Sequence, residues 1–277
     1  PFLVRADYLT RLGVVVLRFD ERGTGASGGT YQGATSADLS TDVEAAFRYL
    51  RKHPRVNGKQ VGLIGHSEGG LIAPMVASRN AKVAFIVLLA GPGTTGAEVL
   101  LRQNNDLFVA KGTDSALAVA RDQVLRTLYA EVLADSGTAP LEVVEPLLAA
   151  LTDAQKTELG LTPRELRQTV YALRRPWLGY FVRADAQVYL RQVACPVLAL
   201  NGGKDVQVHP DNLGYIAQAL IEGGNHQFQI NALPELNHLF QTAQTGLPAE
   251  YVELEETFAP AALEVLGAWL KRMEVVK

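Results

Sequence analysis

The feature that most limits how this chain can fold is an alternation of short apolar runs with helix-periodic stretches, interrupted once by a long segment with no strand-like run. Val14–Phe19, Gln60–Gly65 and Lys82–Ala90 are short and rich in aliphatic, β-branched residues. That is the composition of strands buried on both faces of a parallel sheet. Pro1–Leu12 reads as an opening helix. Ser36–His53 places apolar residues at Leu39, Val43, Ala46, Phe47 and Leu50, which is helical spacing, and Leu71–Arg79 follows as another helix. Short connections between such units predict a mostly parallel sheet flanked by helices, an α/β architecture. From about Thr95 to Arg191 only helical periodicity remains, in pieces broken near Gly112, Gly137–Pro140, Gly160–Pro163 and Pro176. Strand and helix then resume: Pro196–Asn201 and Gln227–Leu233 as strands, Pro210–Ile221 and Ala259–Met273 as helices. The expected organisation is a core formed by residues 1–94 and 192–277, with a helical cap, 95–191, inserted between its halves.

Composition removes several classes of function. A formal net charge of −3 leaves no basic excess for nucleic acid or an anionic membrane surface. No apolar run approaches the roughly 20 residues of a membrane span. The single cysteine, Cys195, precedes a proline at a strand start and reads as a small buried filler. One cysteine cannot form an intrachain disulfide or a cysteine metal cluster, and fits either a cytoplasmic or a periplasmic protein.

The densest chemical signal is Gly65-His66-Ser67-Glu68-Gly69-Gly70, a G-x-S-x-G pattern with an apolar strand leading in and a helix leading out. Such a turn holds its serine in a strained backbone and pushes the hydroxyl out beyond the carboxyl end of the sheet. Gly65 and Gly69 are expected where a Cβ would strike neighbouring backbone. The Glu68 backbone N–H, at the N-terminus of the following helix, is the expected donor to an oxyanion. The Glu68 side chain reads first as a favourable anion at that N-terminus, with contact to substrate or cap as the alternative. A serine hydroxyl needs a base. Of five histidines, His53, His209 and His226 fall at helix or strand ends and His66 sits inside the turn, aimed away from the hydroxyl. His238 lies in a loop after the last core strand, from which it can drop onto the top of the sheet. Its carboxylate partner is expected to be Asp205, after a strand and two glycines that let the chain turn; Asp211, near the start of the next helix, is the competitor.

The order Ser67, Asp205, His238, together with Asp20-x-Arg22-Gly23-x-Gly25-x-Ser27 after the first run, resembles the α/β-hydrolases, specifically bacterial esterases and acyl hydrolases with a helical cap. The resemblance covers nearly the whole chain, though the cap matches only in character. It implies a loop-shaping role for Arg22 and a serine hydrolase acting on small-molecule esters or related acyl bonds, with neither metal nor organic cofactor. Within that chemistry an acyl-aminopeptidase or dipeptidyl-peptidase-like enzyme is the alternative, although those usually carry an upstream β-propeller instead of an inserted cap. From a different class, a non-catalytic binding protein on the same fold is the other. Members of the family have strands before the first helix found here, and the loop after one of them supplies a second oxyanion donor. An upstream segment of the same polypeptide is therefore expected to complete the sheet.

Overall fold

The structure, a computed structural model, describes residues 2–135, 137 and 139–276. Pro1, and Thr138 of the expected break, lie outside them. Contacts divide the chain into two units: residues 1–94 with 185–277, and residues 95–184.

In chain order the first unit contains α1 (Phe2–Arg11), α2 (Ser36–Arg51), β1 (Leu63–His66), α3 (Gly69–Arg79) and β2 (Ile86–Leu89). The second unit is helical throughout its described residues: α4 (Gly96–Ala110), α5 (Ser115–Ala134), α6 (Pro140–Leu148), α7 (Asp153–Glu158), α8 (Pro163–Leu173) and α9 (Pro176–Arg183). The chain then returns to the first unit as α10 (Ala186–Leu190), β3 (Val197–Gly202), α11 (Asn212–Glu222), β4 (Phe228–Leu233) and α12 (Pro260–Arg272).

The four strands form one parallel sheet in the order β1-β2-β3-β4. β2 and β3 are wholly buried, which explains their unbroken apolar sequence. Alternate residues face opposite sides. Val87, Leu89, Leu198 and Leu200 share a cluster with Leu266, Trp269 and Leu270 of α12 and Leu9 of α1. Phe85 meets the Trp269 ring edge-on at 5.7 Å. The intervening Ile86, Leu88, Val197 and Ala199 are equally buried, and α3 and α11 pack against the strands. α2 starts with a reciprocal cap: the Asp38 amide donates to Thr35 Oγ1 and the Thr35 amide to the Asp38 carboxylate.

One expected strand does not form. Val14–Phe19 has no ladder partner, and Val15 and Phe19 stay 47% and 45% exposed. A strand needs a neighbour to take up its backbone groups. β1, the strand nearest in sequence logic, is a sheet edge, and Val14–Arg18 and Ile64 line a common cavity of about 410 Å³ instead of pairing.

The second unit has its own core of Leu128, Leu159, Leu161, Leu166 and Leu173. Its short helices are delimited by side-chain caps at Thr95, Asp114, Thr152 and Thr162. Gly112, at φ +86°, follows α4, and prolines open α6, α8 and α9. The guanidinium of Arg121 is stacked 4.0 Å from the Phe108 ring centroid, and its Nε donates to the Leu159 carbonyl at 2.8 Å.

Candidate active site

β1 ends at His66 and α3 begins at Gly69, so the chain reverses over Ser67 and Glu68. Ser67 has φ +55°, a left-handed conformation rare for a residue with a side chain. Such strain persists only where the surroundings enforce it. Here the Ser67 amide donates to the Leu89 carbonyl at 2.9 Å, and its own carbonyl accepts from the Gly70 amide at 2.8 Å. Gly65 is obligatory, because a Cβ there would lie 1.9 Å from the Gly69 carbonyl oxygen. The matching expectation for Gly69 fails: a Cβ there meets nothing within 4 Å. The crowded position is Gly70, whose Cβ would lie 2.4 Å from the Gly91 Cα, where α3 passes directly over the chain leaving β2.

Asp205 lies three residues beyond β3 and is 2% exposed. Its Oδ1 accepts from the amides of Gln207 and Val208 at 2.8 and 2.9 Å. Its Oδ2 accepts from His238 Nδ1 at 2.8 Å and from Asn201 Nδ2 at 3.4 Å. The two glycines before it do not serve the turn, since neither has a positive φ. They permit close approach. A Cβ on Gly202 would lie 2.2 Å from the Leu236 carbonyl oxygen, and one on Gly203 2.7 Å from the Pro234 backbone. The loop carrying His238 thus lies directly on the end of β3, which brings imidazole and carboxylate together. Asp211, the competitor, is the N-terminal cap residue of α11, with its side chain 63% exposed and 3.0 Å from His209.

His238 is itself 5% exposed. Asn237 fixes its loop by accepting the amides of Leu239 and Gln241 on Oδ1 at 2.9 and 3.0 Å. The His238 carbonyl accepts a hydrogen bond from His66 Nε2 at 2.8 Å, and the two imidazole centroids are 4.8 Å apart. The residue before Ser67 therefore touches the residue proposed as its base. Among the described residues no hydrogen bond joins Ser67 Oγ to His238; the direct pair is His238 with Asp205. His53 and His209 each accept from a backbone amide two residues on, His209 also lying beside the Asp211 carboxylate, and His226 is exposed. No group of three or more His, Cys, Asp or Glu side chains among the described residues is arranged to hold a metal ion.

The fold has parallels in solved structures. An esterase of Pyrococcus furiosus superposes over 96% of this chain and 73% of its own, with a TM-score of 0.53 at 16% identity. A monoacylglycerol lipase of Paleococcus ferrophilus does so over 98% of this chain and 88% of its own, with a TM-score of 0.52 at 17% identity. The chain has the α/β-hydrolase fold. Residues 43–142 also match the family model described as BAAT / acyl-CoA thioester hydrolase C terminal. No curated protein matches the sequence significantly.

In this fold the Asp20–Ser27 loop is tied down by its own side chains. Arg22 makes a two-pronged ion pair with Asp42 at 2.7 and 2.8 Å and donates to the Asp38 carbonyl, fastening the loop to α2. Ser27 Oγ closes the loop on the Asp20 carbonyl at 2.6 Å. Glu68 does not cap α3 with its side chain. Its Oε1 instead accepts from Ser36 Oγ at 2.6 Å, at the first turn of α2. Cys195 is half-buried, and burial pushes its thiol up to about 11, so it stays protonated at neutral pH.

Sequence reasoning missed His66, Asn201 and Asn237. A neighbour of the nucleophile points away from the hydroxyl, which hides His66 as a candidate in the sequence and says nothing about a third segment folding against it. Asn201 and Asn237 carry a faint signal: each is a polar residue inside or beside an apolar strand end, where a buried amide needs partners.

Proposed function

We propose that this chain is the greater part of a serine esterase or acyl hydrolase, with Ser67 as nucleophile, His238 as general base and Asp205 as the group that orients and charges-balances the imidazole. The observation that carries it is the 2.8 Å bond between His238 Nδ1 and the buried Asp205 carboxylate, on a loop that also contacts the residue preceding a strained Ser67. A carboxylate on Nδ1 holds its proton there, leaving Nε2 with the lone pair that a base requires. Ser67 Oγ attacks the acyl carbon as its proton passes to Nε2. The tetrahedral oxyanion is held by the Glu68 backbone N–H at the head of α3. Collapse expels the alcohol or thiol, which takes the proton from Nε2. Water then attacks the acyl-enzyme with His238 again as base, and the acid leaves with Ser67 restored.

The match to a thioester-hydrolase model supports adding acyl thioesters to esters as candidate substrates. The helical unit, 95–184, is proposed as the cap that shapes acyl preference. The unpaired edge of β1 and the unladdered Val14–Phe19 segment support one further element, an upstream strand of the same polypeptide, with the loop after it supplying a second oxyanion donor. A fluorophosphonate probe on the longest expressed chain tests the chemistry: wild type labels and Ser67→Ala does not. Absence of labelling, or equal labelling of both, refutes the assignment of Ser67.

A further inference from the structure

The side chain just before the nucleophile is used in none of the steps above, yet it bonds directly to the residue assigned as the base. His66 closes β1, in register with Leu89. Its ring is packed edge-on against Phe2 at 6.4 Å and Phe240 at 6.3 Å. Phe240 is fully buried and held at φ +62°, its carbonyl accepting from the Ala259 amide at 2.7 Å, so the wall behind His66 is fixed. On that wall the ring has one hydrogen bond among the described residues, Nε2 donating to the His238 carbonyl at 2.8 Å.

We propose that His66 is a positioning residue for His238: its Nε2–H anchors the backbone of the base to the nucleophile turn, fixing where the His238 imidazole stands relative to Ser67. Asp205 sets the tautomer and one end of that ring, but both Asp205 and the His238 loop ride on the end of β3. The sheet ladder sets the spacing between the nucleophile turn and the end of β3, and His66 adds a direct contact from the β1 side to the loop that carries the base. The donor requires a neutral ring with its proton on Nε2. Burial, and then the neighbouring His238, push the His66 pKa down to about 4, so the ring is neutral at working pH. The inference rests on the serine-hydrolase reading, since without attack by Ser67 the distance has no catalytic meaning.

The test compares His66→Gln, whose amide nitrogen reaches about where Nε2 lies, with His66→Leu and the shorter, polar His66→Asn. The readouts are ester turnover, the fluorophosphonate labelling rate, and the downfield Nδ1–H proton resonance of His238 in the free protein. If the anchor acts as argued, Leu and Asn lower kcat and the labelling rate by about 10- to 100-fold with KM little changed, as expected for a misplaced catalytic group. They also broaden or shift the resonance, and Gln restores all three. Should Leu or Asn label at the wild-type rate with the resonance intact, or should Gln be as impaired as Leu, the anchoring role is wrong. If wild type itself fails to label, the serine-hydrolase reading fails, and the resonance still reports whether His66 holds the imidazole. The polar Asn variant keeps the comparison available if Leu does not fold.

Discussion

A partly buried neutral histidine makes stability depend on pH in a direction that can be worked out beforehand. His66 has an ordinary imidazole value of 6.5 when unfolded and is pushed down to about 4 in the fold, first by burial and then by the charge of His238, with Arg5 adding to them, against the opposing effects of the hydrogen bond to the His238 carbonyl and, smaller, of Asp205. The unfolded chain therefore binds a proton below about pH 6.5 that the folded chain refuses until about pH 4. Folding stability from this group is whole above that window and declines as pH falls through it. A displacement of this size is worth about 3 kcal/mol when complete, of which about 2 kcal/mol is lost between pH 7.5 and pH 5. His66→Gln keeps the hydrogen bond but cannot titrate, so this share of the acid sensitivity should vanish. Urea unfolding of wild type and variant at pH 7.5, 6 and 5 measures it, because titrating groups that do not touch His66 contribute equally to both proteins and cancel in the difference. With a slope of about 3 kcal/mol per molar, the wild-type midpoint should fall by roughly 0.7 M more than that of the variant over this range. Parallel midpoints would show that His66 takes a proton as easily folded as unfolded, and the assigned burial of its ring would be wrong.

Further outcomes follow from the geometry. Asp205→Asn should leave the protein folded but lower kcat by about 10³- to 10⁴-fold, with the labelling rate falling in step, because an amide favours the wrong imidazole tautomer; unchanged turnover would remove Asp205 from the mechanism. Gly65→Ala should cost more than about 3 kcal/mol, since its Cβ meets backbone at 1.9 Å, whereas Gly69→Ala, in open space at the first turn of a helix, should be neutral or stabilising by up to about 1 kcal/mol; thermal unfolding of both reads the contrast. Cys195 should alkylate slowly with iodoacetamide at pH 7.5 in the folded protein and rapidly in urea, since burial holds its pKa at about 11; equal rates would contradict that burial.

Much of the core could be read from residue order because β2 and β3 are buried on both faces, and full burial forces an aliphatic sequence that leaves little ambiguity. The Ser67 turn was equally legible, since strand, glycine-flanked serine and helix are each local properties. Val14–Phe19 misled for the same reason: it has a strand's composition, but a ladder depends on a neighbouring chain that composition does not contain. The glycines divide along this line too. Gly65 answers to its own turn and was read correctly. Gly70 answers to Gly91, and Gly202 to Leu236, partners distant in sequence whose approach only the fold reveals. The His66–His238 contact spans 172 positions and joins two residues that look unrelated along the chain.

The helical unit leaves the first unit after Thr94 and the chain rejoins it at Asp185, and these two ends are fastened together: the Ala186 amide donates to the Thr94 carbonyl at 3.3 Å, and within the helical unit the Gly96 amide donates to the Ala184 carbonyl at 2.9 Å. A loop clipped at its neck asks nothing of the sheet that depends on its own length. β2 and β3 stay registered across the interruption, Ile86 beside Val197, with the helical unit of residues 95–184 between them in sequence. Exchange of that whole stretch for a shorter or longer one is thus a modular substitution that leaves the strand register of the sheet in place.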